Sequence, residues 1–132
     1  MTDKLRELIA LHNRQSKHAN YQSLPKFLKE FIPDEELSIR SRYEEARMNY
    51  IKQHVNFNGK IVLDIGGNTG YFSFESLELG AKRVYYVEGD SNHTKFVSNV
   101  SKIFSKEIIT TNRFLDFTEE LKFGPLDITF LL

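Results

Sequence analysis

The stretch Lys60-Ile61-Val62-Leu63-Asp64-Ile65-Gly66-Gly67-Asn68-Thr69-Gly70-Tyr71-Phe72-Ser73 decides how the rest of the chain is read. Its first half is a short apolar run after Gly59, the pattern of a strand buried on both faces. Three glycines and an asparagine then crowd into the next five positions, which makes a turn, because glycine takes left-handed backbone without a steric penalty. Tyr71 to Leu79 has helical spacing, and Gly80 after it is a good helix stop. The unit is strand, glycine turn, helix.

Working downstream, the alternation continues. Arg83-Val84-Tyr85-Tyr86-Val87-Glu88 reads as a second strand, Ser91 to Phe104 as a second helix, Ile108 to Asn112 as a third strand and Leu126 to Leu132 as a fourth. Strands alternating with helices predict an α/β fold with a mostly parallel sheet, right-handed crossovers and helices on both faces. Upstream, the period is helical instead. Leu5, Leu8 and Ile9 suggest a first short helix, followed by a polar stretch from Asn13 to Asn20. A second helix is expected to open at Ser23-Leu24-Pro25, to bury Leu24, Phe27, Leu28 and Phe31, and to stop at Pro33. A third is signalled by Ser41-Arg42-Tyr43-Glu44 as a capping box, with Tyr43, Ala46, Tyr50 and Ile51 as its apolar stripe and fraying near His54 and Asn56. The texture changes near Phe57-Asn58-Gly59, so residues 1–57 are read as a helical cap segment and residues 58–132 as the sheet-bearing unit.

Composition narrows the function. At 132 residues the chain has room for one small domain. Eighteen Lys and Arg against 18 Asp and Glu leave no global basic field, so there is no strong general nucleic-acid signal and no pull toward anionic membranes. The absence of cysteine excludes disulfides, thiolate metal sites and a cysteine nucleophile, and agrees with a reducing compartment. With a polar N-terminus and no apolar run of about 20 residues, the reading is a cytoplasmic, non-membrane protein. His12, His18, His54 and His93 have no metal-ligand spacing, and no metal is assigned.

In an open parallel sheet, ligands sit beyond the carboxyl ends of the strands, and the loop after the first strand usually touches them. A glycine loop there could be a plain turn. Glu88 at the end of the second strand supplies the second element, since an acidic residue in that place can accept hydrogen bonds from both hydroxyls of a ribose. The alternative for Glu88 is a solvated surface charge; the pairing with the glycine loop favours a nucleoside-containing ligand. A dinucleotide fingerprint beginning at Gly66 would need glycine where Asn68 and Tyr71 stand, which disfavours an NAD-dependent oxidoreductase, and no phosphate-cradling GxxxxGK[ST] run is present.

The segments Val62 to Ser73 and Val84-Tyr85-Tyr86-Val87-Glu88-Gly89-Asp90 together resemble the first two motifs of class I, Rossmann-like, S-adenosylmethionine-dependent methyltransferases. The resemblance covers residues 58–132 and implies S-adenosylmethionine as cofactor and methyl transfer to an acceptor it does not identify. It implies that Asp64 reaches toward the methionine amino group, that Gly66 and Gly67 line the cofactor with their backbone, and that Asn68, Thr69 and Gly70 shape the loop leading into Tyr71 and Phe72. Glu88 would hold the ribose, with Gly89 and Asp90 beside the adenine. Asn68 departs from the family's usual middle glycine, which asparagine's tolerance of left-handed backbone makes acceptable. Arg113 departs where the family often has an acidic residue for the adenine amino group, leaving Asp116 or backbone for that contact. No catalytic residue is assigned.

Several further residues carry two readings. Lys17 to Gln22 is either a lid over the ligand, through His18, Tyr21 and Gln22, or an ordinary polar connector, the second being favoured. Arg40, Arg42 and Arg47 are read as a solvated face paired with Glu44 and Glu45 rather than an anion site, and Tyr85 and Tyr86 as packing residues. Only the first four strands of the family's sheet are present, and the fourth is expected beside the first, in what is normally the middle of the sheet. An apolar ending at Asp127 to Leu132 predicts the N-terminal part of a longer methyltransferase, truncated at the C-terminus. The alternative is a non-catalytic cofactor-binding or interaction fragment completed by a partner chain, with self-association through the exposed edge of the fourth strand.

Overall fold

The computed structural model of the chain describes residues 2–13, 22–31, 43–115 and 123–131. Helix α1 (Thr2–Asn13) is followed by a 3-10 turn (Lys26–Glu30), helix α2 (Glu44–His54), strand β1 (Ile61–Ile65), helix α3 (Tyr71–Glu78), strand β2 (Arg83–Glu88), helix α4 (Ser91–Ile103), strand β3 (Ile108–Asn112) and strand β4 (Ile128–Leu131). The four strands form one parallel sheet in the order β3-β2-β1-β4. Strand order therefore reverses between β1 and β4, and the crevice beyond the carboxyl end of β1 is where such sheets take their ligands. β4 is keyed to the foot of β1 by Asp127, whose carboxylate accepts from the Ile61 N–H at 2.9 Å.

Two apolar clusters hold the layers together. One joins Leu5 and Ile9 of α1, Leu24 and Leu28, Phe96, Val97 and Val100 of α4, Phe74 of α3 and Tyr86 of β2. The other joins Met48 of α2, Phe57, Val62, Val84, Phe130 and the α3 residues Tyr71 and Phe72. Side chains alternate across a strand, so Val62, Val84 and Tyr86 face α3 and α4, while Leu63, Tyr85 and Val87 turn to the opposite face. There Tyr85 meets Phe123, with ring centroids 5.2 Å apart.

The strands and the helices between them match the sequence expectation closely, but the N-terminal segment requires three corrections. The expected second helix is a five-residue 3-10 turn with Pro25 at its N-cap, although Leu24 and Leu28 are buried as the pattern requires. The expected capping box does not describe the third helix: it opens at Glu44, with Tyr43 at the cap in left-handed backbone (φ 60°), while Ser41 lies outside the described residues. The expected stripe is also rotated. Tyr43 and Tyr50 are exposed, and the inward face is Glu44, Met48, Ile51 and Val55, spaced four, three and four residues apart. Tyrosine drew the stripe to the wrong side because its polar tip makes it an ambiguous marker of burial.

Candidate functional site

The loop after β1 is built by close approach. Gly66 has φ +67° and Gly70 φ +79°, both left-handed, and a Cβ on Gly70 would lie 3.0 Å from Phe74 and Val97. Gly67 is required for a different reason: a Cβ there would stand 2.4 Å from the Tyr86 ring and 3.0 Å from Asp64 Oδ2. The Tyr86 hydroxyl, deep in the core, donates to the Asn68 carbonyl, so the residue that enforces Gly67 also pins the next turn of the loop. Asn68 has φ 48°, the left-handed backbone that the middle position of this loop demands. The loop is further tied to β2, whose Val87 carbonyl accepts from Gly66 N–H at 2.8 Å and from Gly67 N–H at 3.3 Å.

Two buried carboxylates face this loop from the strand ends. Asp64 accepts the Ser73 hydroxyl at 2.7 Å. Burial pushes its pKa up to about 6; the Ser73 hydrogen bond opposes that rise and the nearby Glu88 charge adds to it. Glu88 binds both loops at once: its Oε1 accepts from Asn68 N–H at 3.0 Å and its Oε2 from Asp90 N–H at 2.9 Å. A carboxylate has about four acceptor positions, so each oxygen retains capacity for a further donor. Asp90 caps α4, accepting from the backbone of Asn92 (2.8 Å) and His93 (3.4 Å). Gly89 lies under the exposed Phe114, whose ring would be 2.2 Å from a Cβ there. Arg113 binds through its backbone N–H to the Glu88 carbonyl, which also accepts from the Asn112 carboxamide; Asp116 lies outside the described residues.

The N-terminal segment enters the site through Gln22. Its carboxamide oxygen accepts from Tyr71 N–H at 3.3 Å at the head of α3, and the Thr69 hydroxyl stands 2.8 Å from it and 2.6 Å from the Ser23 carbonyl oxygen. Ser23 in turn donates to Glu44 Oε2 at 3.0 Å, so Glu44, read from sequence as a solvated partner for arginine, is buried and holds this connection. Arg47 instead lies over the Phe72 ring, 5.4 Å from its centroid. His18, Tyr21, Arg40 and Arg42 lie outside the described residues. His12 and His93, far apart in sequence, meet with ring centroids 5.6 Å apart, and His93 Nε2 lies 3.2 Å from Asn68 Nδ2. Among the described residues no three His, Asp or Glu side chains converge as a metal site requires, and no helix is long and apolar enough to cross a membrane.

Asp64, the glycine loop and Glu88 are thus brought together at adjacent strand ends, whereas Ser73, Tyr86, Glu44, His12 and His93 were not legible as parts of this neighbourhood. No family model matches the chain. It is 30% identical over 92 residues to "Probable protein arginine N-methyltransferase 3" of Arabidopsis thaliana, which is 70% of this chain and 15% of that protein. It is 37% identical over 60 residues to protein arginine N-methyltransferase 6 of Danio rerio, 46% of this chain and 17% of the relative. Over 38 residues, 29% of this chain and 13% of the relative, it is 45% identical to a tRNA U34 carboxymethyltransferase of Nautilia profundicola. What the chain resembles is the S-adenosylmethionine-dependent methyltransferases of Rossmann-like fold. It spans less than a fifth of the length of these curated relatives. A solved structure of PRMT6 aligns with 51% of this chain and 21% of its own, at 30% identity and a TM-score of 0.44.

Proposed function

We propose that the chain binds S-adenosylmethionine over the β1 loop and takes part in transferring its methyl group to an acceptor. The observation that carries this reading is the pair of buried carboxylates, Asp64 and Glu88, at adjacent strand ends around a loop that only glycine-like backbone can form. What shifts Asp64 is its burial, its Ser73 hydrogen bond and another carboxylate, with no basic side chain in the balance among the described residues. Such a site favours a ligand that brings positive charge, and the ammonium and sulfonium of S-adenosylmethionine supply it.

A dinucleotide fits less well. Its pyrophosphate would seek the N–H groups at the head of the helix after β1, yet Tyr71 N–H is already given to Gln22 and an acidic Asp64 stands beneath. In the proposed complex, residues 58–132 hold the cofactor: Asp64 faces the methionine ammonium, Gly66 and Gly67 give backbone contact, Asn68, Thr69 and Gly70 set the loop that leads to Tyr71 and Phe72, Glu88 accepts from the ribose hydroxyls, and Gly89 and Asp90 border the adenine. Residues 1–57 form the cap on that unit, with Gln22 seated at its edge. When bound, the cofactor supplies an electrophilic methyl on sulfur, and the chain's contribution is to hold that methyl in line with the incoming nucleophile. Cytoplasmic location and strand pairing along the outer edge of β4 belong to the same reading.

The test is calorimetric titration with S-adenosylhomocysteine and, separately, with NAD. Saturable binding of the first that is weakened at least about tenfold by Glu88→Ala, the loss of two charge-assisted hydrogen bonds, supports the reading; tight binding of NAD with none of S-adenosylhomocysteine overturns it.

A further inference from the structure

The contacts of Gln22 are turned inward. A lid residue would hold its polar group toward the ligand, but here the carboxamide oxygen is spent on Tyr71 N–H and the Thr69 hydroxyl, and the side chain is buried. Those two partners flank Gly70, the last residue of the cofactor loop, whose left-handed backbone leads directly into α3. Thr69 is itself fully buried, and its hydroxyl also reaches the Ser23 carbonyl. Ser23 then passes the connection to Glu44 at the start of α2, and the next residues, Leu24 and Leu28, are anchored in the same apolar cluster as Phe74 and Val97. These are the two residues that crowd Gly70 from behind. The end of the loop is therefore gripped from one side by apolar packing and from the other by the Gln22 carboxamide and the Ser23 carbonyl, both delivered from residues 22–31.

We infer that Gln22 is a positioning residue, through which docking of residues 22–31 and filling of the cofactor loop strengthen each other. The inference rests on the reading of the loop as an S-adenosylmethionine site. Its physical basis is linkage: if the segment holds Thr69 and Tyr71 in the geometry that the ligand selects, the ligand must in turn hold the segment, by the same factor. Nothing in the contact requires Gln22 to touch the ligand.

The experiment is amide hydrogen exchange on the full 132-residue chain, with and without S-adenosylhomocysteine, joined to calorimetry. Gln22→Met keeps side-chain volume and removes the acceptor. It is expected to speed exchange at Tyr71 about tenfold, to leave Val97 and Val100 in α4 unchanged, and to weaken S-adenosylhomocysteine about fivefold. In the wild type the ligand is expected to slow exchange across residues 26–31, and in Gln22→Met it is not. Gln22→Glu, which restores an acceptor oxygen, is expected to recover Tyr71 protection. Thr69→Val, which deletes the hydroxyl at constant shape, is expected to uncouple the segment in the same way. Wild-type binding that leaves exchange of residues 26–31 unchanged, or unaltered affinity in Gln22→Met, overturns this inference while the functional reading stands. Failure of the wild type to bind S-adenosylhomocysteine overturns both.

Discussion

Asp64 and His12 are both almost sealed from solvent, at 3% and 1% exposure, yet they belong to regions organised in different ways. Asp64 sits at the end of β1, in a stretch whose neighbours announce it: its partner Ser73 is nine residues away, and the loop between them is fixed by glycines. His12 closes α1, and what it meets, Phe96 and His93, comes from α4, which lies between β2 and β3 in the sequence. The same contrast separates their surroundings. Gln22 finds Thr69 across 47 residues and Tyr71 across 49, and Ser23 finds Glu44 across 21. Local rules of period and turn build the sheet and its helices, whereas long-range contacts, apolar and polar, fix how the N-terminal segment sits on them.

The largest effect is expected in the locally organised region. Gly67→Ala drives a methyl group into the Tyr86 ring and toward the Asp64 carboxylate. Tyr86 is fully buried and tethered by its hydroxyl, so it has little freedom to yield. A destabilisation of about 3 kcal/mol or more is expected, read from urea unfolding, together with loss of S-adenosylhomocysteine binding. A cost under about 1 kcal/mol would show that the loop is softer than its packing indicates.

Acidity separates the two regions by sign. Burial raises Asp64 from 3.8 to about 6, with the Ser73 hydrogen bond opposing and Glu88 adding. Between those values the folded chain keeps a proton that the unfolded chain has lost, so this group's contribution is intact below pH 3.8 and falls as pH rises through about 6. Burial lowers His12 from 6.5 to about 4, helped by His93 and opposed by Asp90. Over that range the unfolded chain binds the extra proton, so the His12 contribution is intact above pH 6.5 and is lost as pH falls through about 4. Each swing is worth about 3 kcal/mol at most. Relative to wild type, Asp64→Asn is therefore expected to gain stability as pH rises from 4 to 6, and His12→Leu to lose it across the same interval. Urea midpoints measured at a series of pH values give both differences; two slopes of the same sign would remove the contrast.

These residues also mark where sequence reading succeeds and where it stops. Val62 to Ser73 could be read because every constraint in it is expressed within a few positions: an apolar run, positive φ at Gly66, Asn68 and Gly70, and a helix that begins at once. Glu88 could be placed because a strand end is a definite location. Tyr86 could be recognised as packing, but not as the group that forbids a side chain at Gly67, since that depends on the register pairing Asp64 with Tyr86 across β1 and β2. For α2 the amphipathic pattern misled, because Glu44 faces inward to meet Ser23 while Tyr43 and Tyr50 face out. A buried carboxylate with a partner 21 residues away leaves no periodic trace.

Tyr86→Phe probes the junction between the two kinds of order. It removes the hydroxyl from the buried Asn68 carbonyl and leaves the ring that walls Gly67 in place. The expected cost is about 1–2 kcal/mol, for an acceptor left without that donor in the core. Because Asn68 N–H remains on Glu88 and the Asn68 side chain remains beside His93, the loop should keep its shape, and S-adenosylhomocysteine affinity should fall less than it does in Glu88→Ala. The reverse ranking would place loop geometry, rather than the carboxylate, at the centre of recognition.

The smallest effect tests how far the local rules extend inside their own region. Helix α3 ends at Gly80, with φ +96°, and helix α4 ends with Ser105 at φ 51°. Both positions lie just past a helix, where left-handed backbone lets the following N–H groups return to the last carbonyls: Ala81 N–H reaches the Ser76 carbonyl at 3.0 Å, and Lys106 N–H reaches that of Ser101 at 2.8 Å. The device is the same, but only α3 has the residue that adopts it freely. Ser105→Gly is expected to stabilise by about 0.5–1 kcal/mol, since the exposed serine side chain gives up no interaction of comparable size. Gly80→Ser is expected to cost more than that gain, because its new Cβ would also meet Asn58 Oδ1 at 2.9 Å. Unfolding midpoints of the two single variants and of the double variant decide the matter. Additive effects of opposite sign would confirm that each helix end is governed by its own few residues, unlike Gln22 and His12, whose partners lie on other elements.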